Sequence, residues 1–352
     1  MKQSISQDYI LETMKKFIQT PSPVGYYEEV NPLLEQYASE LGYPVEFDLK
    51  KTGYIKIPGK NTEKTICVGA HLDTLGLIVR QIDDDGMIYT RNLGGINYNN
   101  IEGETVTVLT RDGRRYTGLA ACRSHSVHVF DDARTVERNE TTMMVILDEK
   151  VSCRKDVEDL GIRHGDLIYL EPHFTVTEKG YIKSRFIDNK ASVACCLAVI
   201  QYLRENRLQP ACNVWFAFPH YEEIGHGGSY IPPEACQYIA LDIAVIGPDH
   251  NGSEEKVSIC VKDNFSPYDR ELTGRLIDLA EKNGLVYAVD VFYRYGTDAS
   301  AALRAGNNLQ AAAFGMGTFS SHGMERTHIN AVMDTARLLA AFLLDEGTET
   351  TA

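Results

Sequence analysis

The sequence predicts an α/β fold, a mainly parallel sheet flanked by helices and interrupted by an inserted β-barrel. Three observations carry this expectation. Apolar runs of strand length alternate with helical patterns in the first part of the chain. Between residues 75 and 171 the texture changes to short strand-like runs, "LGLIVRQI", "MIYTRN", "TVTVLT", "RRYTGLA", "TMMVILD" and "DLIYLE", separated by turn signals such as "DDDG" and "RDG". Beyond residue 171 strand and helix alternate again. The expected organisation is an α/β domain made of 1–74 and 172–352, with 75–171 as the insertion.

The elements follow in order. Ile10, Leu11, Met14, Phe17 and Ile18 recur at helical spacing and stop before the breaker "PSPVG", so the first segment reads as an amphipathic helix. A second helix is expected over 28–41, then strands at "PVEFDL", "YIKIPG" and "TICVGAH". The last does not alternate, as suits a strand buried on both faces. After the barrel, "ASVACCLAVIQYLREN" reads as helix, "NVWFAF" and "YIALDIAV" as strands, "DRELTGRLIDLAEKNG" as helix, "AAAFGMG" as strand and "NAVMDTARLLAAFLL" as a closing helix. His125 and His128 in "SHSVHVF" alternate as in a strand and are expected on one side of the barrel.

Composition narrows the function. With 352 residues and 43% hydrophobic content the chain can bury a substantial core without staples. Its eight cysteines are scattered through mostly apolar segments with no CxxC pair, which reads as reduced thiols in a cytoplasmic protein. No signal-peptide pattern and no long apolar span appears, so no membrane partner is expected. A net charge of −14 with no concentrated basic patch disfavours nucleic acid.

In open parallel sheets, sites form beyond the carboxyl ends of the strands. The residues there are chemically uniform. His71 and Asp73 follow "ICVGA"; Asp188 and Asn189 follow "YIKSRFI"; Glu222 and Glu223 follow "NVWFAF"; Asp242 interrupts "YIALDIAV"; His328 follows "AAAFGMG" at a short distance. Each alone has a structural explanation, but adjacent carboxylates at a strand end repel unless a cation, shared proton or open water relieves them. Two histidines and three carboxylates suffice for two divalent ions if one carboxylate bridges, and such donors suit zinc, with cobalt or manganese as alternatives. A metal pair polarises a carbonyl and activates water. One glutamate of Glu222 and Glu223 would then bind metal while the other serves as general base and acid.

These pieces resemble the tetrahedral (TET) aminopeptidases, dinuclear metallopeptidases that include glutamyl and deblocking aminopeptidases and relatives with an endoglucanase label. The matching stretches are "PSPVGYYEE", "AHLDTLGLIV", "FIDNKAS", "EEIGHGG", "ALDIAV", "YGTDAS" and the histidine before the last helix, in family order across nearly the whole chain. The resemblance implies a zinc-exopeptidase-like fold, His71 and Asp242 on one ion, Glu223 and His328 on the other, Asp188 bridging, Glu222 as catalytic acid/base, and Asp73 fixing the His71 tautomer. It also implies that the inserted barrel is a dimerisation domain and that the chain forms homo-oligomers, from a dimer up to a tetrahedral dodecamer, acting on short peptides. It moves Asp298 toward a role in the substrate pocket, although a helix cap there is nearly as good a reading.

The chain departs from the family pattern in places. Tyr221 precedes the glutamate pair where Gln is usual, and "HLDT" stands where "HMDE" is common. The late histidine is followed by "INAV" rather than Ser-Pro, which makes His322 a rival to His328; Asp249, in the turn-like "IGPDHNG", is a weaker rival to Asp242. Competing functions are a metal-dependent dipeptidase or deacylase, a glycoside hydrolase using paired acids without metal, and a non-catalytic peptide-binding scaffold.

Overall fold

A computed structural model describes residues 4–346. The first helix, α1 (Gln7–Ile18), starts where Ser6 accepts a hydrogen bond from the Tyr9 N–H, with Asp8 in its first turn and Lys15 and Lys16 in its last, all favourable to the helix dipole. It buries Ile10, Met14, Phe17 and Ile18, the stripe that the spacing predicts. After α2 (Val30–Glu40) come three strands, β1 (Glu46–Phe47), β2 (Gly53–Ile57) and β3 (Asn61–Gly69).

The chain then enters the barrel, β4 (Gly76–Ile82), β5 (Ile88–Leu93), β6 (Thr105–Leu109), β7 (Arg115–Cys122), β8 (Met143–Leu147) and β9 (Leu167–Leu170), closed in the order β4-β5-β8-β7-β6-β9 by antiparallel pairs. Each of the six expected runs supplies one strand. Closure removes the exposed edges a free sheet of this length would present. "SHSVHVF" is a correction: residues 124–130 form turns, because the Val129 and Phe130 N–H groups both return to the Ser126 carbonyl. A short helix, α3 (Arg154–Asp159), precedes the last barrel strand.

Leaving the barrel, the chain forms β10 (Thr175–Val176), β11 (Tyr181–Ser184), α4 (Ile187–Glu205), β12 (Cys212–Phe218), β13 (Ala235–Leu241), β14 (Ala244–Val245), β15 (Val257–Lys262), α5 (Arg270–Lys282), β16 (Tyr287–Val291), α6 (Asp298–Arg304), β17 (Gln310–Thr318), β18 (Glu325–His328) and α7 (Ile329–Leu344). The main sheet runs β1-β2-β12-β3-β13-β17-β15-β16, with β14 on β17. Its central strands β12, β3, β13 and β17 are mutually parallel; β2 and β15 join antiparallel.

Alternation along these strands sorts the core into two layers. Ile66, Val68, Ile239, Leu241 and Phe314 face a layer shared with α1, α2, α4, α5 and α7. Cys67, Tyr238, Ala240, Ala311 and Ala313 face the other side, where α6 contributes Ala299 and Ala302. The α4 helix is buried almost throughout its first fourteen residues, against α1 and α7, which explains why its sequence shows little amphipathic patterning. Because β12, β3, β13 and β17 are parallel, their carboxyl ends share one edge of the sheet.

Candidate active site

That edge gathers most of the expected residues. His71 and Asp73 lie just past β3, Glu222 and Glu223 past β12 and Asp242 past β13, while Asp188 is held at the start of α4. His71 Nε2 is 3.1 Å from Asp188 Oδ1 and 3.8 Å from Glu222 Oε2. His71, Asp188 and Glu223 each offer a donor atom within 4.8 Å of the others, the spacing a divalent cation needs. Asp242 and Glu222 line the same cavity.

The late histidine is the main correction. His328 does not reach this cluster. It begins α7 as its cap, with Nδ1 accepting from the Asn330 N–H at 3.1 Å and Nε2 donating to the Lys179 carbonyl at 2.7 Å. Both ring nitrogens are occupied, and the ring packs edge-on against Tyr181. His322, at the tip between β17 and β18, faces the site instead, its Nε2 at 3.4 Å from Glu223 Oε2 and 3.9 Å from Asp188 Oδ2. Asp188 thus turns one carboxylate oxygen to His71 and the other to His322.

Asp73 makes more contacts than expected. His71 Nδ1 lies 3.0 Å from its backbone carbonyl and 3.4 Å from its carboxylate, so Nδ1 carries hydrogen and Nε2 is the nitrogen that faces Asp188 and Glu222, where a cation could take the place of a proton. The two carboxylate oxygens also accept the N–H groups of Glu222 and Glu223, each at 3.2 Å. One fully buried aspartate therefore orients the imidazole and the glutamate pair together.

Two residues the sequence reading passed over hold the frame. Glu325, buried on β18, accepts the Asp188 N–H at 3.0 Å and the His322 N–H at 3.2 Å. The fully buried Lys190 donates to Ser22 Oγ at 2.6 Å and to the Leu72 carbonyl at 2.5 Å, fixing the residue between His71 and Asp73. Burial pushes that amine down to about 7. For Lys190 the available signal was a lone basic residue at the head of the apolar helix α4.

Other expectations resolve differently. Asp298, expected to shape the substrate pocket, is buried near the acids, where its charge acts on Glu222 and Asp242, while its neighbours Gly296 and Thr297 line the cavity. It accepts the Gly228 N–H at 2.5 Å, and a Cβ on Gly227 or Gly228 would collide with it. Burial pushes its carboxyl up to about 7. Thr297, not Asp298, caps α6. Tyr221 turns its ring away from the acids and stacks on His226 at 5.0 Å. His220 is buried, bonded to Asn31 at 2.9 Å and pushed down to about 4 by burial. Asp249 is exposed on its turn.

The electrostatics of the cluster are those of a cation site. Burial, followed by the charge of neighbouring acids, pushes Glu223 and Asp242 well above the usual carboxylate range; the same holds for Glu222, where His71 opposes. Burial would lower His71, but its bonds to Asp188 and Asp73 outweigh it and hold the imidazole well above its ordinary value. Burial would raise Asp188 and Asp73, yet His71 keeps both low. A divalent ion would relieve the crowded acids and replace the proton on His71, so the donor set fits metal.

Beside the cluster opens a cavity of about 520 Å³ lined by Arg294, Arg304, Phe265, Tyr293 and His250 among others. The Arg304 guanidinium lies 3.8 Å over the Phe265 ring.

Comparisons with known proteins place the chain in a family. Residues 52–338 match the M42 glutamyl aminopeptidase family. The chain is 40% identical over 330 residues to the putative aminopeptidase YhfE of Bacillus subtilis, covering 94% of this chain and 95% of that one. It is 25% identical over 236 residues to the lysyl aminopeptidase of Pyrococcus furiosus, covering 66% of each. The solved Pyrococcus horikoshii TET1 peptidase, described as assembling into a tetrahedron or a large octahedral shell, superposes with a TM-score of 0.84 at 24% identity, over 96% of this chain and 99% of that one. A chain that matches the family over most of its length, and a named aminopeptidase end to end, belongs to the M42 glutamyl aminopeptidase family and is a peptidase.

Proposed function

We propose that the chain is a dinuclear metal-dependent aminopeptidase that releases residues from the amino end of short peptides. The observation that carries the reading is the placement of Asp188 between His71 and His322, with Glu223 beside His322 and Glu222 left over. His71 and Asp242 would hold one ion and Glu223 and His322 the other, with Asp188 shared; zinc suits these donors best, and cobalt or manganese also fit. When bound, such a pair polarises the scissile carbonyl and activates water.

The remaining steps belong to the chain. Glu222 takes the proton from the attacking water and returns it to the leaving amine. Asp73 keeps Glu222 in place through its backbone N–H. Membership of an aminopeptidase family favours an exopeptidase over an endopeptidase.

Relatives carry both glutamyl and lysyl names, so side-chain preference must come from this cavity. Two guanidiniums, Arg294 and Arg304, line it with aromatic rings, and no ion pair of either is found among the described residues. They favour an acidic first residue.

Homo-oligomers from a dimer to a tetrahedral dodecamer are part of the proposal, since similar solved chains are described as a dodecamer and as a tetrahedron; the barrel offers the exposed Val127 and Val129, between β7 and β8, at 53% and 69% of their surface. Among the described residues no helix is long and apolar enough to cross a membrane, and all eight cysteines are free, which accords with a cytoplasmic enzyme.

The test is Glu222→Gln. We expect kcat to fall by about 10²–10⁴-fold while the protein still binds two ions and loses the residual activity to a chelator. Unchanged turnover removes Glu222 from the mechanism, and wild-type activity that survives complete metal removal removes the metals.

A further inference from the structure

The Gly94–Gly95 turn belongs to the barrel, yet it reaches into the catalytic cluster. His322 Nδ1 lies 3.0 Å from the Gly95 carbonyl oxygen. A carbonyl can only accept, so Nδ1 carries hydrogen, and in the neutral ring the lone pair is then on Nε2, the nitrogen nearest Glu223 and Asp188. A ring with its hydrogen on Nε2 could not bind a cation on that side.

The close approach requires glycine at both positions. A Cβ on Gly95 would stand 2.9 Å from His322 Nδ1 and 3.3 Å from Cε1. One on Gly94, which has φ +82, would stand 2.4 Å from Leu75 Cδ2 and 3.2 Å from the Cβ of Glu223. The turn is itself held rigidly. Asn92 Nδ2 donates to the Gly94 carbonyl at 2.5 Å, and buried Arg185 ties the Asn100 carbonyl at 2.6 Å to Glu104 Oε2 at 2.7 Å. From the other side, Gly323 sits directly on the Asn100 side chain.

We propose that the Gly94–Gly95 turn is a positioning element of the metal site: the inserted barrel, through the Gly95 carbonyl, selects the His322 tautomer that can bind a metal. The inference rests on the metal-binding reading above and adds to it a specific part for the barrel within its own subunit.

The experiment compares the wild type with Gly95→Ala by calorimetric zinc titration after chelator stripping, with Gly113→Ala as the control. Gly113 lies in the same barrel with nothing within 4 Å of an added Cβ; at φ +85 its substitution strains the backbone, which Gly95→Ala does not, and leaves His322 untouched. In Gly95→Ala the affinity for the ion on the His322 side should fall by about 10–100-fold, with the other ion and the Gly113→Ala titration unchanged. If the wild type binds only one ion, the dinuclear reading fails whatever Gly95 does. If the wild type binds two and Gly95→Ala binds both with wild-type affinity, this inference is overturned. Should Gly95→Ala not fold, nitrogen NMR of histidine-labelled, zinc-loaded wild type decides. The His322 ring, assigned by its loss in His322→Gln, must bind the ion through Nε2 and keep hydrogen on Nδ1, and coordination through Nδ1 refutes the proposal.

Discussion

Replacing Asp73 by Asn tests the idea that one buried aspartate aligns the imidazole and both glutamates. The substitution keeps shape and volume but turns one of two acceptor oxygens into a donor. In the wild type those oxygens receive the Glu222 and Glu223 N–H groups at 3.2 Å each, so one N–H must face an NH₂ in the variant. A buried N–H left without an acceptor costs about 1–3 kcal/mol, and the remaining bond loses its charge assistance. Stability to urea should therefore drop by about 2 kcal/mol, and kcat by about 10–100-fold, with KM changed less, because the glutamates shift relative to the reacting atoms. The loss should also depend on pH in a defined sense. His71 holds the Asp73 carboxyl below its usual range, so in the metal-stripped protein its contribution is fully present above the ordinary carboxylate value and fades as pH falls through the lower folded one. The stability gap between Asp73→Asn and wild type should be constant at neutral pH and close in acid. A variant with wild-type stability, kcat and metal content would refute the clamp.

Three further outcomes are expected. His322→Ala should weaken metal binding, whereas His328→Ala should leave it intact and cost about 1 kcal/mol of stability as a lost helix cap; the reverse pattern would restore His328 as the ligand. Metal-stripped protein should lose stability as pH rises from about 4, because the folded state holds protons on Glu222, Glu223 and Asp242 that the unfolded chain has released, so the melting-temperature gain on adding zinc should grow between pH 5 and 8. Arg294→Ala combined with Arg304→Ala should cut kcat/KM for a glutamyl reporter about 10–100-fold relative to a leucyl one, as loss of a charge-assisted contact implies, and an unchanged ratio would remove the arginines from specificity.

The comparison of sequence and structure shows where one-dimensional signals suffice. The six barrel strands were legible because turn residues punctuate them and each carries a short apolar run. The site's edge was legible because parallel strands end together, which brought His71, Glu222 and Asp242 into view. "YIALDIAV" read as one strand, but the chain breaks at Asp242, where the Gly315 backbone comes so close that a Cβ there would overlap the Asp242 carbonyl. Strands β15 and β16 escaped notice, since their apolar residues merge with loop and helix signals on either side. His328 misled because its distance along the chain suits a ligand equally well; only the hairpin that lifts His322 to the cluster and leaves His328 capping α7 separates them. Glu325 was invisible for a related reason: its partners are the backbone N–H groups of Asp188 and His322, which no residue pattern encodes.

The order of the donors along the chain has a consequence for synthesis. His71 leaves the ribosome early, Asp188 only after the whole barrel has been made, and His322 a full 251 positions after His71. Tight capture of a cation needs the assembled set, so an unfinished nascent chain offers only scattered, weak donors to the ions around it. In the proposed centre, loading would then follow the docking of the last hairpin, and occupancy would report that both halves on either side of the insertion have come together.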